Sequence, residues 1–600
     1  MLSGPEQNLL GTLTWARVDD DSAPVATDAL VFMAVSLNDG WKIPCGYFLI
    51  AGLSGTERAN LVRQCIQKLY DIGVNVVSLT CDGPSCHFTM MDDLGVQLDA
   101  TDIQAHFCHP SDSNLKVHVI FDVCHMLKLV RNAFAEGGIF LDPSGQKVKW
   151  SYLHELHKLQ DTEGFHLANK FRLAHVNWRT QKMKVNLAAQ TISESVATAI
   201  EFCDHKLKLD QFAGSEATVK FLRLFDHLFD VLNSRNPLAR GYKAPLKPTN
   251  EKLWKPFLHE AYQYIVQLKD AAGQCMIRGR RKTAFIGFLC AIKSTEAIFN
   301  TYVKADTTLK YLLTYKLSQD HLELFFAAVR SSFGSNNNPT ARQYSAAYKR
   351  LLMRHEVQAV TGNCKALDNT HVLFVTSNTV ARKNEPDLDT YDVSLVRRYD
   401  LVPRKPLAVD HDYADLCNVH TLSVFKEFIV AYIAGYVVRM VKRSLTCQVC
   451  TAALTDATEC HSECMNYSKL HFLEWKNKGG LTVPSLSTIR VCESTERCLQ
   501  RLLAANDGSL PQVQGNLVAT IQVVVLTESC DKKVFESLQE HMFDTPADNN
   551  HVFALIKLIA RSYCKIRLHA LARKTTEKVT GLKVRKQLSK LVLLASVSRC

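Results

Sequence analysis

No run in this 600-residue chain is apolar enough to cross a bilayer. The longest, FIVAYIAGYVV from Phe428 to Val438, is about half of the roughly 20 residues a span requires. Lys426, Glu427, Arg439 and Lys442 flank it, so it is expected as a buried helix and no membrane partner is expected. The opening MLSGPEQNLLG lacks the basic and apolar regions of a secretory signal. The 20 cysteines are scattered rather than set in a short framework, which points to reduced thiols in the cytosol or nucleus. Nor is there a GxxxxGK[ST] loop; the nearest segment, GQCMIRGRRKT, has the wrong spacing, which argues against a Walker-type nucleotide hydrolase. Internal repeats and long low-complexity tracts are missing too. At 47% hydrophobic and 22% charged residues the composition is that of a folded globular protein.

What is present is length, and charge in one place. A chain this long exceeds one core, so two to four domains are expected. Its net charge is +12. From Arg561 to Cys600 eleven Lys or Arg stand against the single acid Glu577, a net +10, so the rest is close to neutral. Such a tail suits a phosphate backbone through counterion release, and equally a solvated helical face or an import signal. RGRRK, Arg278 to Lys282, carries the same ambiguity.

The first 135 residues alternate strand and helix patterns. ALVFMAVSL and KIPCGYFLI read as neighbouring strands joined by NDGW. Leu61, Val62, Cys65, Ile66, Leu69 and Tyr70 recur at helical spacing, with Gly73 as a stop. VNVVSLT is a strand ending at Asp82, followed by a short helix opened by Pro84 and closed by Gly95. VHVIF is a further strand ending at Asp122, before the helical VCHMLKLVRNAF. This order implies an α/β layer with parallel strands, with two aspartates at the edge where ligands bind. From about Leu153 to Asn300 the pattern is mainly helical. YLLTYKLSQDHLELFFAAVRSSFG then reads as one amphipathic helix ending at Gly334.

On that helix Asp320 and Glu323 are three residues apart and share a face. A helical carboxylate set against strand-end carboxylates is how two-metal phosphoryl-transfer sites are built, because hard divalent cations need oxygen ligands. The plainer reading, aspartates as turn formers or helix caps, stays open on pattern alone.

TCDG at a strand end, FDVCHMLKLVRNAF some 40 residues on, then SESVATAIEF, FDVLNSRN and YLLTYKLSQDHLELFF occur in one order. This series resembles the P-element-type DNA transposases, which include THAP-domain-containing vertebrate relatives. A weaker likeness continues in AGYVVRMVKRSLTCQVC. The resemblance implies an α/β RNase H-like domain interrupted by a mainly helical GTP-binding insertion and followed by a mainly helical C-terminal region. The expected bounds are 1–150 and 301–345 for the RNase H-like parts, 151–300 for the insertion and 346–600 for the remainder. It implies cut-and-paste chemistry on DNA, transposon ends and target alike, with Mg²⁺ or Mn²⁺ and with GTP as a cofactor. The catalytic aspartate and glutamate fall on Asp82 and Glu323, which would hold the metal. Phe229, Asp230 and Asn233 match the family's nucleotide element, with Asp320 as a further contact and Lys182 or Lys184 for the phosphates. A nuclear location follows from the same likeness and the basic clusters, and a homo-oligomer is left open.

Two departures stand against the pattern. Nothing matches the THAP zinc pattern, and the family's first catalytic aspartate, on the opening strand, is expected to lie ahead of Met1. The chain as given is therefore expected not to be a competent transposase, but a remnant or a host-adopted DNA- or GTP-binding derivative. Cys447 and Cys450 with Cys460 and Cys464 give C-x2-C and C-x3-C spacings that suit a structural zinc site.

Overall fold

A computed structural model describes residues 26–99, 103–305, 308–334, 336, 338–353, 422–455, 469–505, 517–531, 534–538, 541 and 550–572. The chain divides into two compact units, one of residues 1–159 and 168–383, the other of 160–167 and 384–600.

In the first unit the expected strand pair is an antiparallel hairpin, β1 (Asp28–Val35) with β2 (Lys42–Ile50). The helix α1 (Gly55–Asp71) follows, its start closed by a capping box in which Ser54 and Glu57 satisfy each other's backbone N–H. It buries Ala59, Val62, Cys65, Ile66 and Leu69, the face its 3.6-residue period marks out. Strand β3 (Ser78–Cys81) leads through Asp82 and the left-handed Gly83 into α2 (Ser85–Leu94). Pro84 opens that helix and Gly95, at φ +91°, ends it.

A three-stranded sheet has the order β3, β5 (Lys116–Phe121), β4 (His106–Cys108). β3 and β5 are parallel, with Cys81 opposite Phe121, so Asp82 and Asp122 leave the sheet at the same edge. Asp122 caps α3 (Val123–Gly137), its Oδ2 accepting from the His125 N–H at 2.9 Å.

The middle of the unit is helical, with α4 (Glu194–His205), α5 (Glu216–Leu232) and α6 (Glu251–Gln267) as its long members. α7 (Lys282–Ile298) carries buried residues on nearly every side and lies against β5 and α3. Its Ser294 hydroxyl donates to the Val119 carbonyl of β5 at 2.5 Å and to that of Ala105 at 3.2 Å. By its packing, therefore, α7 covers the sheet, although it lies within the residues assigned from sequence to the insertion.

The segment read as one helix over 311–334 is two pieces. A 3-10 turn, Thr314–Leu317, stops at Ser318, which is extended, and α8 runs only from Asp320 to Ser331. The break has a cause in hydrogen bonding. The Thr314 hydroxyl donates to the Val231 carbonyl, and the Tyr315 N–H donates to that of Ser234, so this segment is tied to the end of α5. α8 and α9 (Ala341–Met353) bury Phe325, Val329, Tyr344, Tyr348 and Leu351 with Val31 of the hairpin. The Tyr348 hydroxyl donates to the Pro44 carbonyl at 2.8 Å, which fixes that packing in register.

The second unit is helical among its described residues. α10 (Val424–Val441) contains the apolar run and is a buried helix, as its composition requires; Phe428, Ile429, Val430, Ala434, Val437 and Val438 are all inside. No described helix is long and apolar enough to cross a membrane. The same unit holds α11 (Gln448–Ala453), α12 (Leu486–Ala504), α13 (Leu517–Asp531) and α14 (residues 551–572).

Candidate functional site

The sheet edge and α8 meet through two hydrogen bonds. The Thr80 hydroxyl, on β3, donates to the Leu317 carbonyl at 2.9 Å. The Gln319 N–H, at the start of α8, donates to Asp122 Oδ1 at 3.1 Å. Together they seat the first turn of α8, which carries Asp320 and Glu323, beside Asp82 and Asp122.

Electrostatics report the same convergence. Burial pushes the Asp122 carboxyl up to about 6, opposed by the Gln319 N–H and reinforced by Asp320 and Glu323. Lys128, one turn along α3 and 5% exposed, has its pKa lowered by burial and raised by Asp122, Glu323 and Asp82 in turn. Lys128 is near enough to feel all three carboxylates, and its ammonium stands 3.3 Å from His125 Nδ1. Asp82 keeps a 44% exposed side chain and lies 3.3 Å from His87 Nδ1, whose own pKa burial lowers against the opposing pull of Asp82. Asp122, buried where Asp82 is half open, is the member whose closeness to Glu323 the sequence did not reveal. Its position before the helical VCHMLK, one residue past a strand paired with β3, was the available signal.

These carboxylates suit a hard divalent cation in chemistry, offering only oxygen, with open access at Asp82. They do not form a closed cage among the described residues. The groups of three or more donors whose atoms all lie within 4.8 Å of one another are elsewhere: Cys447, Cys450, His541 and His551; Glu194, Asp226 and His227; and Asp204, His205 and Glu216. The expected opening strand and its aspartate concern residues at and before 1–25, outside the described residues.

The nucleotide element lies at the end of α5, joined to the start of α8. Phe229 and Asp230 are half-buried on its last turn and Asn233 is its C-terminal cap. Asn233 Oδ1 is buried with no hydrogen-bond partner, an acceptor-donor mismatch that costs about 1–3 kcal/mol unless a ligand fills it. Lys243 Nζ stands 3.6 Å from Asp230 Oδ2. Burial, and then Asp230, push the Asp226 carboxyl one turn earlier up to about 6. Asp320 is held by an ion pair with Arg235, whose guanidinium also lies over the Tyr315 ring at 5.9 Å. Lys184 is the N-terminal cap residue of a short helix, Val185–Thr191, and Lys182 lies over the Trp178 ring at 5.4 Å. Both sit on a loop anchored by Arg131, which donates to the Gln181 carbonyl at 2.9 Å, and by Asn132, which donates to that of Lys182 at 3.3 Å. A separate cleft of about 340 Å³ between α4, α5 and α6 is lined by Arg223, His227, Tyr242 and Phe257, and does not include Asp230 or Asn233.

Cys447 and Cys450 stand together at the start of α11, in the second unit. Cys460 and Cys464 lie outside the described residues. The histidines His541 and His551, which sequence spacing did not suggest, are brought to the same point.

Four family models match parts of the chain. They are the TNP-like RNase H N-terminal domain over residues 4–95, the TNP-like GTP-binding insertion domain over 124–245, the TNP-like RNase H C-terminal domain over 315–349 and the DNA transposase THAP9 C-terminal domain over 421–573. The DNA transposase THAP9 of Homo sapiens is 32% identical over 568 residues, 93% of this chain and 60% of that protein. The Transposable element P transposase of Drosophila melanogaster is 24% identical over 339 residues, 56% of this chain and 43% of that one. The chain thus spans three-fifths of one curated relative and under half of the other. The solved Drosophila P element transposase strand transfer complex matches at 23% identity with a TM-score of 0.47, over 56% of this chain and 73% of that chain, too loosely to carry an argument. The two relatives and the ordered series of family domains agree, and together they support a P-element-type transposase.

Proposed function

We propose that this chain supplies the RNase H-like core of a metal-dependent DNA transposase, with Asp82 and Glu323 as its metal-holding carboxylates. One observation carries this reading: the bonds Thr80 to Leu317 and Gln319 to Asp122 bring α8 to the strand edge that bears Asp82. Mg²⁺ or Mn²⁺ bound there would supply charge stabilisation for in-line displacement at a DNA phosphodiester. The chain's own part is to hold the two carboxylates at a fixed spacing on rigid elements. Asp122, kept from solvent, anchors the first turn of α8 and does not need to face the DNA.

A guanine nucleotide is proposed at the end of α5. Asp230 would accept from the base N–H groups, the Phe229 ring would stack on it, and the unpartnered Asn233 Oδ1 would gain a donor. Asp320 and Lys184 complete the proposed set, Asp320 through its pair with Arg235. DNA as partner and the nucleus as location follow from the family and from the basic tail.

A second reading, binding of nucleotide and DNA without cleavage, is favoured by Lys128. Its ammonium is drawn by Asp122, Glu323 and Asp82 and offsets part of their charge without a cation.

Manganese titration of the full chain, followed by electron paramagnetic resonance, separates the two. The first reading expects binding that Asp82→Asn and Glu323→Gln each weaken at least tenfold, together with loss of Mn²⁺-dependent nicking of supercoiled plasmid. Manganese affinity indifferent to both substitutions would sink it. Fluorescent GTP and ATP analogues test the nucleotide. GTP should bind more tightly, and Asp230→Ala should abolish that preference; equal binding of both, unchanged by the variant, removes the assignment.

A further inference from the structure

Four ligand-type side chains from three separate parts of the second unit converge. Cys447 Sγ lies 3.1 Å from His541 Nε2, 94 residues away. Cys450 Sγ lies 3.6 Å from His551 Nδ1, and the two histidine nitrogens are 3.1 Å apart. All four atoms fall within 4.8 Å of one another. A tetrahedral zinc with Zn–S of about 2.3 Å and Zn–N of about 2.0–2.1 Å sets its nitrogens roughly 3.3 Å apart and its N and S atoms roughly 3.6 Å apart. The Cys450–His551 and His541–His551 spacings are close to such a tetrahedron's edges, and the Cys447–His541 spacing is about 0.5 Å short of one. The imidazole planes cross at 77°, with Nε2 of His541 and Nδ1 of His551 turned to the cluster.

The backbone is arranged for the same end. Cys447 is the N-terminal cap residue of α11 and Cys450 lies in its first turn, so one helix start carries both sulfurs. His551 begins α14, and Asn550 Oδ1 caps that helix by accepting from the N–H groups of Val552 at 2.9 Å and Phe553 at 3.3 Å. The ring is therefore held at a fixed helix start. Cys450 is buried at 2% exposure, while the other three are partly exposed, which leaves a path for the ion.

We propose that Cys447, Cys450, His541 and His551 form a Cys₂His₂ structural zinc site that pins α14 to α11. Four protein ligands leave no open position, so the metal has a structural and not a catalytic role. The pairing of the first two cysteines with Cys460 and Cys464, which sequence spacing suggests, gives way in this assignment to two histidines.

Zinc content of the full chain, measured by inductively coupled plasma mass spectrometry after dialysis against a competing chelator, tests it. One zinc per chain is expected. Cys447→Ser, His541→Asn and His551→Asn should each lose it, whereas the double variant Cys460→Ser/Cys464→Ser should retain it. Because a ligand variant can unfold, cobalt is also exchanged into the wild-type chain and into the Cys460/Cys464 double variant. Both should show the visible bands of tetrahedral cobalt and a sulfur-to-cobalt charge-transfer band. Absence of zinc from the folded wild-type chain, its retention by either histidine variant, or its loss from the Cys460/Cys464 variant overturns the assignment.

Discussion

Replacing Glu496 by Gln should destabilise the second unit more than any other single polar change there. Glu496 on α12 is fully buried, and Arg567 on α14 is 5% exposed. The guanidinium clasps the carboxylate with two bonds, Nε to Oε2 at 2.8 Å and Nη2 to Oε1 at 3.0 Å. The Tyr563 hydroxyl donates to Oε2 at 2.9 Å, and the Gln500 amide to Oε1 at 2.6 Å. Arg567 also lies 3.9 Å over the Phe165 ring. Burial opposes its charge, yet Glu496 and Tyr563 together more than offset this and hold its pKa above the ordinary value. A Gln at 496 removes the counter-charge and points amide donors at existing donors. Breaking one half of such a buried pair costs about 3–5 kcal/mol, because the remaining charge stays desolvated. For a unit of this size about 2–4 °C is lost per kcal/mol, so the melting temperature should fall by roughly 6–20 °C. Thermal unfolding by circular dichroism, with hydrogen exchange of α14 to assign the transition, measures it. The paired replacement Glu496→Leu/Arg567→Met should recover much of the loss, since it leaves no unpaired charge. A fall of under about 1 kcal/mol for Glu496→Gln would refute the view that this pair is electrostatically isolated from water.

Two further outcomes follow from the same physics. Asp122 has a native pKa raised to about 6 from 3.8. Between those values the folded chain keeps a proton that the unfolded chain releases, so its contribution falls as pH rises from about 4 to about 6. At about 1.4 kcal/mol per pH unit the loss is about 3 kcal/mol. In metal-free buffer Asp122→Asn should therefore gain on the wild type over that window in urea unfolding, and parallel pH profiles would contradict the burial argument. Gly435, in the middle of α10, lies so close to the Thr482 carbonyl that an added Cβ would overlap that oxygen. Gly435→Ala should cost about 1–3 kcal/mol through forced separation of α10 from the segment at 482, and a melting temperature within error of wild type would show that this contact yields.

Much of the first unit was written in local sequence. The Asp28–Val35 and Lys42–Ile50 strands, the Gly73 and Gly95 helix stops and the aspartates at two strand ends depend on side-chain period and on glycine's access to positive φ, which neighbours in sequence decide. The buried helix α10 was equally legible, because its flanking charges and short length exclude a span. The motif order points to the family and, through that resemblance, to Asp82 and Glu323 as the proposed metal-holding pair. Where periodicity failed was at Thr314–Gln319. Those residues look helical, yet Thr314, Tyr315 and Gln319 are drawn into bonds with Val231, Ser234 and Asp122, and long-range hydrogen bonds outweigh a few tenths of a kcal/mol of helix propensity.

The sequence by itself determined most elements of the α/β layer in the first unit, that the charge gathers at the C-terminal end, and which aspartates stand at strand ends. Only the tertiary structure decided what those groups face. It brought Lys128 into the field of three carboxylates, and placed His541 and His551 against Cys447 and Cys450. Spacing along the chain suggests ligands only when they are close in sequence. A pair 94 residues apart is joined by the packing of helices, whose geometry no local pattern encodes.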